Sequence, residues 1–236
     1  MSLIAACENC SKKKITEVNK IAAVGLCKDC SIASTIYNRY YAANIPLEYW
    51  DLRIGRSKED AKANFKGPSK LIDIYFELSE DLSKWYLSGR SLCLAGTHGI
   101  GKSTVATNIL KRVCQKNLGA LYTTLSDAVA VLTSAPIDEK FLARKELLET
   151  DFIVVDEVDS RFAPSENASD LFGRTLESVI RTRISNKLPT LLISNSPNPK
   201  EMFSGALKAS IDSLMSKIPI VPLIGKDYRK EGVNEV

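Results

Sequence analysis

Gly96, Gly101, Lys102 and Ser103 stand in the spacing G-x-x-x-x-G-K-S. Each residue type there has a task in phosphate chemistry. Glycines let the backbone curl until consecutive N–H groups converge on phosphate oxygens. A helix starting at the end of the loop turns the positive end of its dipole to the same anion. Lys102 reaches the β- and γ-phosphates, and the Ser103 hydroxyl is a ligand for Mg²⁺. The stretch Gly96, Thr97, His98, Gly99, Ile100, Gly101, Lys102, Ser103 and Thr104 is therefore expected to wrap a nucleotide. His98, the only histidine, has no partner for metal ligation and reads as a spacer. A chance glycine-rich loop is the alternative. It is disfavoured by the apolar strand expected before the loop (91–96) and the helix expected after it (103–116).

Asp156 and Glu157 follow the apolar run Asp151-Phe-Ile-Val-Val155. Such a run reads as a strand buried on both faces. Acidic residues at its carboxyl end suit Mg²⁺ binding (Asp156, with Ser103) and the orientation or deprotonation of an attacking water (Glu157). Asn195 ends a further apolar run, Thr190-Leu-Leu-Ile-Ser194, and suits a hydrogen bond to that water or to the γ-phosphate.

Cys7, Cys10, Cys27 and Cys30 form C-x2-C-x16-C-x2-C, the spacing of a closed, structural Zn²⁺ site. So short a segment has little core of its own, so metal binding would supply its folding energy. Two disulfides or a redox pair are the alternatives. Cys93 and Cys114 have no ligand spacing to these four and read as core residues.

The elements that must position these groups follow from periodicity and punctuation. A helix over 31–44 carries Ile32, Ile36, Tyr37, Tyr40 and Tyr41 as an apolar stripe. Pro46 stops it. Residues 51–68 read as a polar connection. A single amphipathic helix is expected over 69–87. After the loop helix come a strand at 120–124 and a helix capped by Ser126 and running to Ser134. Helices over 138–149 and 168–185 flank the acidic strand. Residues 200–217 read as largely helical, and Ile218–Ile224, with Pro219 and Pro222, can form only an edge strand or extended segment. Strands alternating with helices make a parallel α/β sheet, and ligands bind beyond the carboxyl ends of its strands. Gly96–Ser103, Asp156–Glu157 and Asn195 then share one edge.

Composition places few limits beyond these. The net charge of +4 lies in residues 1–66, which hold 11 Lys/Arg and 7 Asp/Glu, while the rest holds 21 of each. A mild excess of this kind suits contact with nucleic acid or simply a solvated face. No apolar run approaches the roughly 18 residues that would span a membrane, and residues 1–7 lack the features of a signal peptide. A cytoplasmic protein is expected.

Among P-loop proteins the acidic pair favours an ATP hydrolase. A GTPase would require N-K-x-D, and Asn186-Lys187-Leu188-Pro189 lacks the Asp. The ordered motifs resemble the AAA+ ATPases of the DnaC/DnaI/IstB type: the P-loop, Val155-Asp156-Glu157-Val158, Leu188 to Asn195, Asn44-Ile45-Pro46 ahead of the core, and Gly225-Lys226-Asp227-Tyr228-Arg229 like that family's G-x-S-Y-R. The resemblance covers about residues 43–230. With the cysteines it implies a zinc-binding module and linker helix over 1–42 and a P-loop AAA+ parallel sheet flanked by helices over 43–236. It further implies an ATPase using ATP, Mg²⁺ and Zn²⁺, with Glu157, Lys102, Asn195 and the sensor Arg229 as its catalytic set.

A zinc module before such an ATPase resembles bacterial and phage replicative helicase loaders. That likeness implies a hexameric replicative helicase as partner, single-stranded DNA, and ATP-dependent self-association. A transposition helper acting on duplex DNA and a nucleotide-gated adaptor with little hydrolysis are the alternatives. One departure stands out. The family's arginine finger would fall in Ile211-Asp212-Ser213-Leu214, where Ser213 replaces it. Arg174, Arg181, Arg183 and Arg229 are the other candidates for that charge.

Overall fold

The structure is a computed structural model that describes residues 28–158, 166–199 and 208–228. The described strands form one parallel sheet in the order β2-β3-β4-β1-β5. They are β1 (Leu92–Gly96), β2 (Ala120–Thr124), β3 (Phe152–Asp156), β4 (Thr190–Ser194) and β5 (Ile220–Leu223). Every residue of β1, β3 and β4 is buried. Burial on both faces explains why these strands are continuous apolar runs with no alternation. Pro222 is tolerated because β5 lies at the sheet edge, paired only with β1.

Helices cover both faces. On one, Leu92, Leu94, Val154, Leu191 and Ile193 pack with α3 (Ser69–Glu80) and α5 (Lys102–Gln115) in a single core. On the other, Cys93, Ala95, Ile153, Val155 and Leu192 pack with α6 (Leu125–Ser134), α8 (Glu166–Ser185) and α9 (Lys208–Met215). Cys93 and Cys114 are buried, as core residues should be. Helix α7 (Ile137–Glu149) lies against α6 and α8.

The sheet order has a direct consequence for chemistry. Strand β4 lies between β1 and β3, with Ala95 opposite Ser194 and Val155 opposite Leu192. The residue that follows β4 therefore stands between the loop after β1 and the acidic residues after β3. That residue is Asn195.

Four local expectations are corrected. Residues 51–68 contain a helix, α2 (Lys58–Asn64), begun by Ser57, whose side chain accepts from the Asp60 N–H. The helix expected over 69–87 is two. Asp81 breaks it at φ −130°, ψ 66°, and its carboxylate caps α4 (Leu82–Ser88) by accepting from the Lys84 N–H. Thr124, and not Ser126, caps α6 by accepting from the Asp127 N–H.

Finally, α1 (Lys28–Ala42) does not bury its whole expected stripe. Tyr40 is 5% exposed, but Tyr41 is 77% exposed and Ile32 51%. Tyr37 stacks on Trp50 with ring centroids 5.4 Å apart. The helix meets α5 through one narrow edge, tied by Arg39 Nη1 donating to the Cys114 carbonyl at 3.0 Å.

Arg183 holds the far end of the sheet. It is fully buried and donates to Thr190 Oγ1 and to the carbonyls of Leu147, Thr150, Asp151 and Pro189. Burial lowers its pKa to about 10. The guanidinium thus ties α8 to the amino ends of β3 and β4.

Candidate active site

Beyond the carboxyl ends of β1, β3 and β4 lies a cleft of about 620 Å³, a size that accepts a nucleotide. Its lining includes His98, Gly99, Gly101, Lys102, Ser103, Thr104, Asp156, Glu157 and Asn195. The expected residues from three separate motifs do meet.

The loop after β1 turns through left-handed backbone at Gly99 (φ 74°) and Gly101 (φ 92°). A side chain at either position would also collide with its surroundings. A Cβ on Gly99 would lie 1.7 Å from Asp227 Oδ1, and one on Gly101 2.6 Å from the Phe65 ring. Gly101 is the N-cap of α5 and makes no side-chain cap bond to its first N–H groups; the residues that carry them, Lys102, Ser103 and Thr104, line the cleft, and a helix amino end of this kind suits an anion. Lys102 is 4% exposed, and its Nζ donates to the carbonyls of Gly96 (2.9 Å) and Thr97 (2.7 Å). A positive charge is thereby held at the floor of the loop. Ile100 is fully buried, so any contact it makes with an anion is through its backbone.

Asp156 is the hub of the acidic side. Its Oδ2 accepts from Ser103 Oγ at 2.7 Å and from the Tyr122 hydroxyl at 2.7 Å, and its Oδ1 accepts from the Glu157 N–H at 2.6 Å. Ser103 Oγ and the Asp156 carboxylate are hard oxygen donors in contact. They fit Mg²⁺, which favours one or two protein oxygens beside phosphate. The Tyr122 hydroxyl is pushed up far above its usual range, chiefly by burial and then by the Asp156 charge, so it remains a donor. Tyr49, from the segment before the core, also lines the cleft. Its pKa is pushed up to about 12, by burial first and then by Glu48, with Asp156 adding to the effect.

Glu157 sits at φ 54°, in the left-handed region that non-glycine residues seldom occupy. Its own N–H is held by Asp156, and the next N–H, of Val158, donates to the Ile193 carbonyl at 2.9 Å. Two bonds therefore fix a sparsely populated conformation at the residue best suited to handle water. Strain retained by its surroundings is common at catalytic positions.

The opposite wall was not foreseen. Pro46, Glu48, Tyr49, Leu52, Phe65 and Lys66 close the cleft on that side. Lys111 of α5 anchors this wall. It is 5% exposed, and its Nζ donates to the carbonyls of Tyr49 (2.7 Å), Trp50 (3.3 Å) and Leu52. These contacts join residues some 60 positions apart and leave no periodic trace. Tyr122 could have been found by strand alternation, since Thr124 pairs with Asp156 and Tyr122 lies two residues back on the same face. At the rim, Tyr228 lines the cleft and its N–H donates to the Gly99 carbonyl at 3.1 Å.

Several expectations lie elsewhere. Arg229, Cys7, Cys10 and Cys27 fall outside the described residues, and of Cys30 only its place in the first turn of α1 is described. Among the described residues no cluster of three or more His, Cys, Asp or Glu could hold a metal. No described helix is long and apolar enough to cross a membrane. Arg183, a candidate for the charge missing at Ser213, is ruled out as a group reaching a neighbour by its complete burial and its bonds to α8's own surroundings. Arg181 is engaged by Glu177 at 2.6 Å and by Ser210. Arg174 is exposed, as is Ser213 itself.

No protein-family model matches the sequence, and no curated protein matches it. Solved structures do resemble it in three dimensions. One is the crystal structure of DnaI, 19% identical, covering 76% of this chain and 93% of that one with a TM-score of 0.56. A DNA replication initiation factor is 15% identical, with 78% and 55% covered and a TM-score of 0.52. The replication initiator DnaA bound to AMPPCP and single-stranded DNA is 16% identical, with 73% and 54% covered and a TM-score of 0.52. The chain thus spans about half the length of the last two. At these identities the likeness is one of fold alone.

Proposed function

We propose that this chain is an ATP hydrolase that acts in the cytoplasm as a DNA-replication helicase loader. The single observation that carries the hydrolase reading is the contact of Ser103 and Asp156, at 2.7 Å, directly beside the strained Glu157. In this reading the α5 amino end and the loop N–H groups bind the β- and γ-phosphates, with Lys102 pairing their charge. Ser103 and Asp156 hold Mg²⁺, which when bound neutralises charge on the phosphate oxygens. Glu157 accepts a proton from the attacking water, Asn195 orients that water or the γ-phosphate, and Arg229 acts as the sensor of the nucleotide that the motif resemblance implies.

The loader role is supported by the ordered motifs, by the likeness in fold to DnaI, and by the cysteine spacing ahead of the core. Residues 1–42 would then form a zinc module and linker helix that contacts a hexameric helicase, with the AAA+ domain over 43–236 assembling in an ATP-dependent way on single-stranded DNA. A pull-down of the purified replicative helicase of the same cell, with and without ATP, tests this; capture is expected, and none under either condition sinks the reading. Metal analysis of the purified protein is expected to give one zinc per chain.

A second reading has an observation of its own. Ser213 stands where the family places its finger, and Arg183 is committed to the core. An adaptor that binds ATP and hydrolyses it slowly would share this site. Single-turnover rates across protein concentration separate the two, because a finger supplied by a neighbour makes the rate climb with assembly.

A further inference from the structure

Residues 49–56 have a cleft on each side. Tyr49 and Leu52 line the one already described, whereas Trp50, Arg53 and Arg56 line a second, of about 530 Å³. This second cleft has Arg53, Arg56, Lys111 and Arg112 in its lining and a single carboxylate, Asp60. Asp60 is already occupied: one oxygen accepts from the Arg56 N–H and the other from the Asn64 amide. Arg53 and Arg56 are exposed, and among the described residues their guanidinium groups have no ion pair and no hydrogen bond. Among the described residues Arg112 donates only Nε, to the Tyr75 hydroxyl at 3.2 Å, with the outer edge of its fork making no bond to them. One end of the cleft is aromatic. Tyr37 lies flat on Trp50, and Tyr40 meets both edge-on.

Like charges gathered in one concavity repel each other, so their grouping calls for an anion. Guanidinium forks match phosphate oxygens in geometry, and aromatic walls accept a flat ring. The volume suits a small ligand carrying both. We propose that this cleft is a second binding site, for a nucleoside phosphate, either free or within a short strand. The first site is not needed for the argument. The two sites share the 49–56 wall, and Lys111, which pins that wall, lines the second cleft as well.

Equilibrium dialysis with ADP, and separately with an oligothymidylate of about five nucleotides, tests the proposal. The full-length chain is compared with Lys102→Ala and with the double variant Arg53→Ala, Arg56→Ala. Both arginines are exposed and their guanidinium groups hold none of the described residues in place, so the double variant is expected to fold. If the source is a free nucleotide, the unaltered chain takes two equivalents of ADP and each variant takes one, the double variant's second-site affinity falling about tenfold or more. If the source is a strand, Lys102→Ala retains oligothymidylate binding and the double variant loses it. One equivalent of ADP, abolished by Lys102→Ala, together with oligothymidylate binding indifferent to the two arginines, overturns the proposal and leaves the hydrolase reading standing. One equivalent that survives Lys102→Ala and disappears in the double variant does the opposite.

Discussion

Ser103 donates its hydroxyl hydrogen to Asp156 Oδ2 at 2.7 Å, joining the first turn of α5 to the carboxyl end of β3. The contact fastens the phosphate loop to the acidic strand across the intervening β4. The same carboxylate takes a second hydrogen bond, from Tyr122, on a third element. Helix, loop and two strands therefore converge on one pair of oxygens, and what those oxygens can bind determines what the cleft can do.

Asp156→Asn removes the negative charge and keeps the shape. If Ser103 and Asp156 hold Mg²⁺, ATP turnover falls by on the order of 10²-fold or more, because the metal's charge stabilisation is worth several kcal/mol. Phosphate release measured against Mg²⁺ concentration checks this. A variant with an unchanged rate and an unchanged Mg²⁺ requirement would show that the pair is merely structural.

Glu157→Gln separates binding from chemistry. The amide can occupy the same left-handed turn, since the bonds that fix it come from backbone N–H groups. Nucleotide affinity should stay within a few-fold while turnover drops about 10²- to 10⁴-fold, the usual worth of a general base. Equal losses in affinity and rate would place Glu157 in the wall of the cleft and not in the reaction.

The sheet and the residues at its carboxyl edge could be read from the chain because each is a local pattern. Leu92–Gly96 and Phe152–Asp156 are unbroken apolar runs, and Pro222 marks β5 as an edge. What escaped was non-local or too short to be periodic. Helix α2 has seven residues and buries only Ala61. The break at Asp81 was hidden because Leu78 and Leu82, four apart, keep the helical period across it and are both buried. Lys111 reads as a surface lysine on a helix, yet it is among the most enclosed charges described, because its partners are carbonyls in a segment some 60 residues earlier. Phe65 against Gly101 is a contact of the same kind.

Arg183 is expected to be a stability residue with no part in catalysis. Arg183→Met would take a donor from four carbonyls and from the Thr190 hydroxyl, and of these the Pro189 carbonyl keeps the Ile153 N–H. Unsatisfied buried acceptors cost about 1–3 kcal/mol each before relaxation, so a total loss of roughly 3 kcal/mol or more is expected. Arg181→Met, which breaks an exposed pair with Glu177, should cost only about 0.5 kcal/mol. Urea midpoints of the two variants decide the matter. Small, equal shifts would return Arg183 to the candidates for a charge offered to a neighbouring subunit.

Lys111 makes stability depend on pH in a direction opposite to that of a surface lysine held by a carboxylate. Burial, reinforced by the Arg53 charge, lowers its pKa from 10.5 to about 8. Below pH 8 the ammonium is protonated in both the folded and the unfolded chain, and the folded state carries the whole cost of enclosing it. Between about pH 8 and 10.5 the unfolded chain binds more protons at this position than the folded one, so folding becomes more favourable as pH rises. The gain is on the order of 1–2 kcal/mol, less than the full shift implies because the side chain also lines an open cleft. Lys111→Met lacks the titration. Urea denaturation of both proteins at about pH 7.5 and about pH 10 should show the unaltered chain gaining that amount relative to the variant. A gap that stays constant, or moves the other way, would mean that the ammonium remains solvated and that the 49–52 wall is not held by a buried charge.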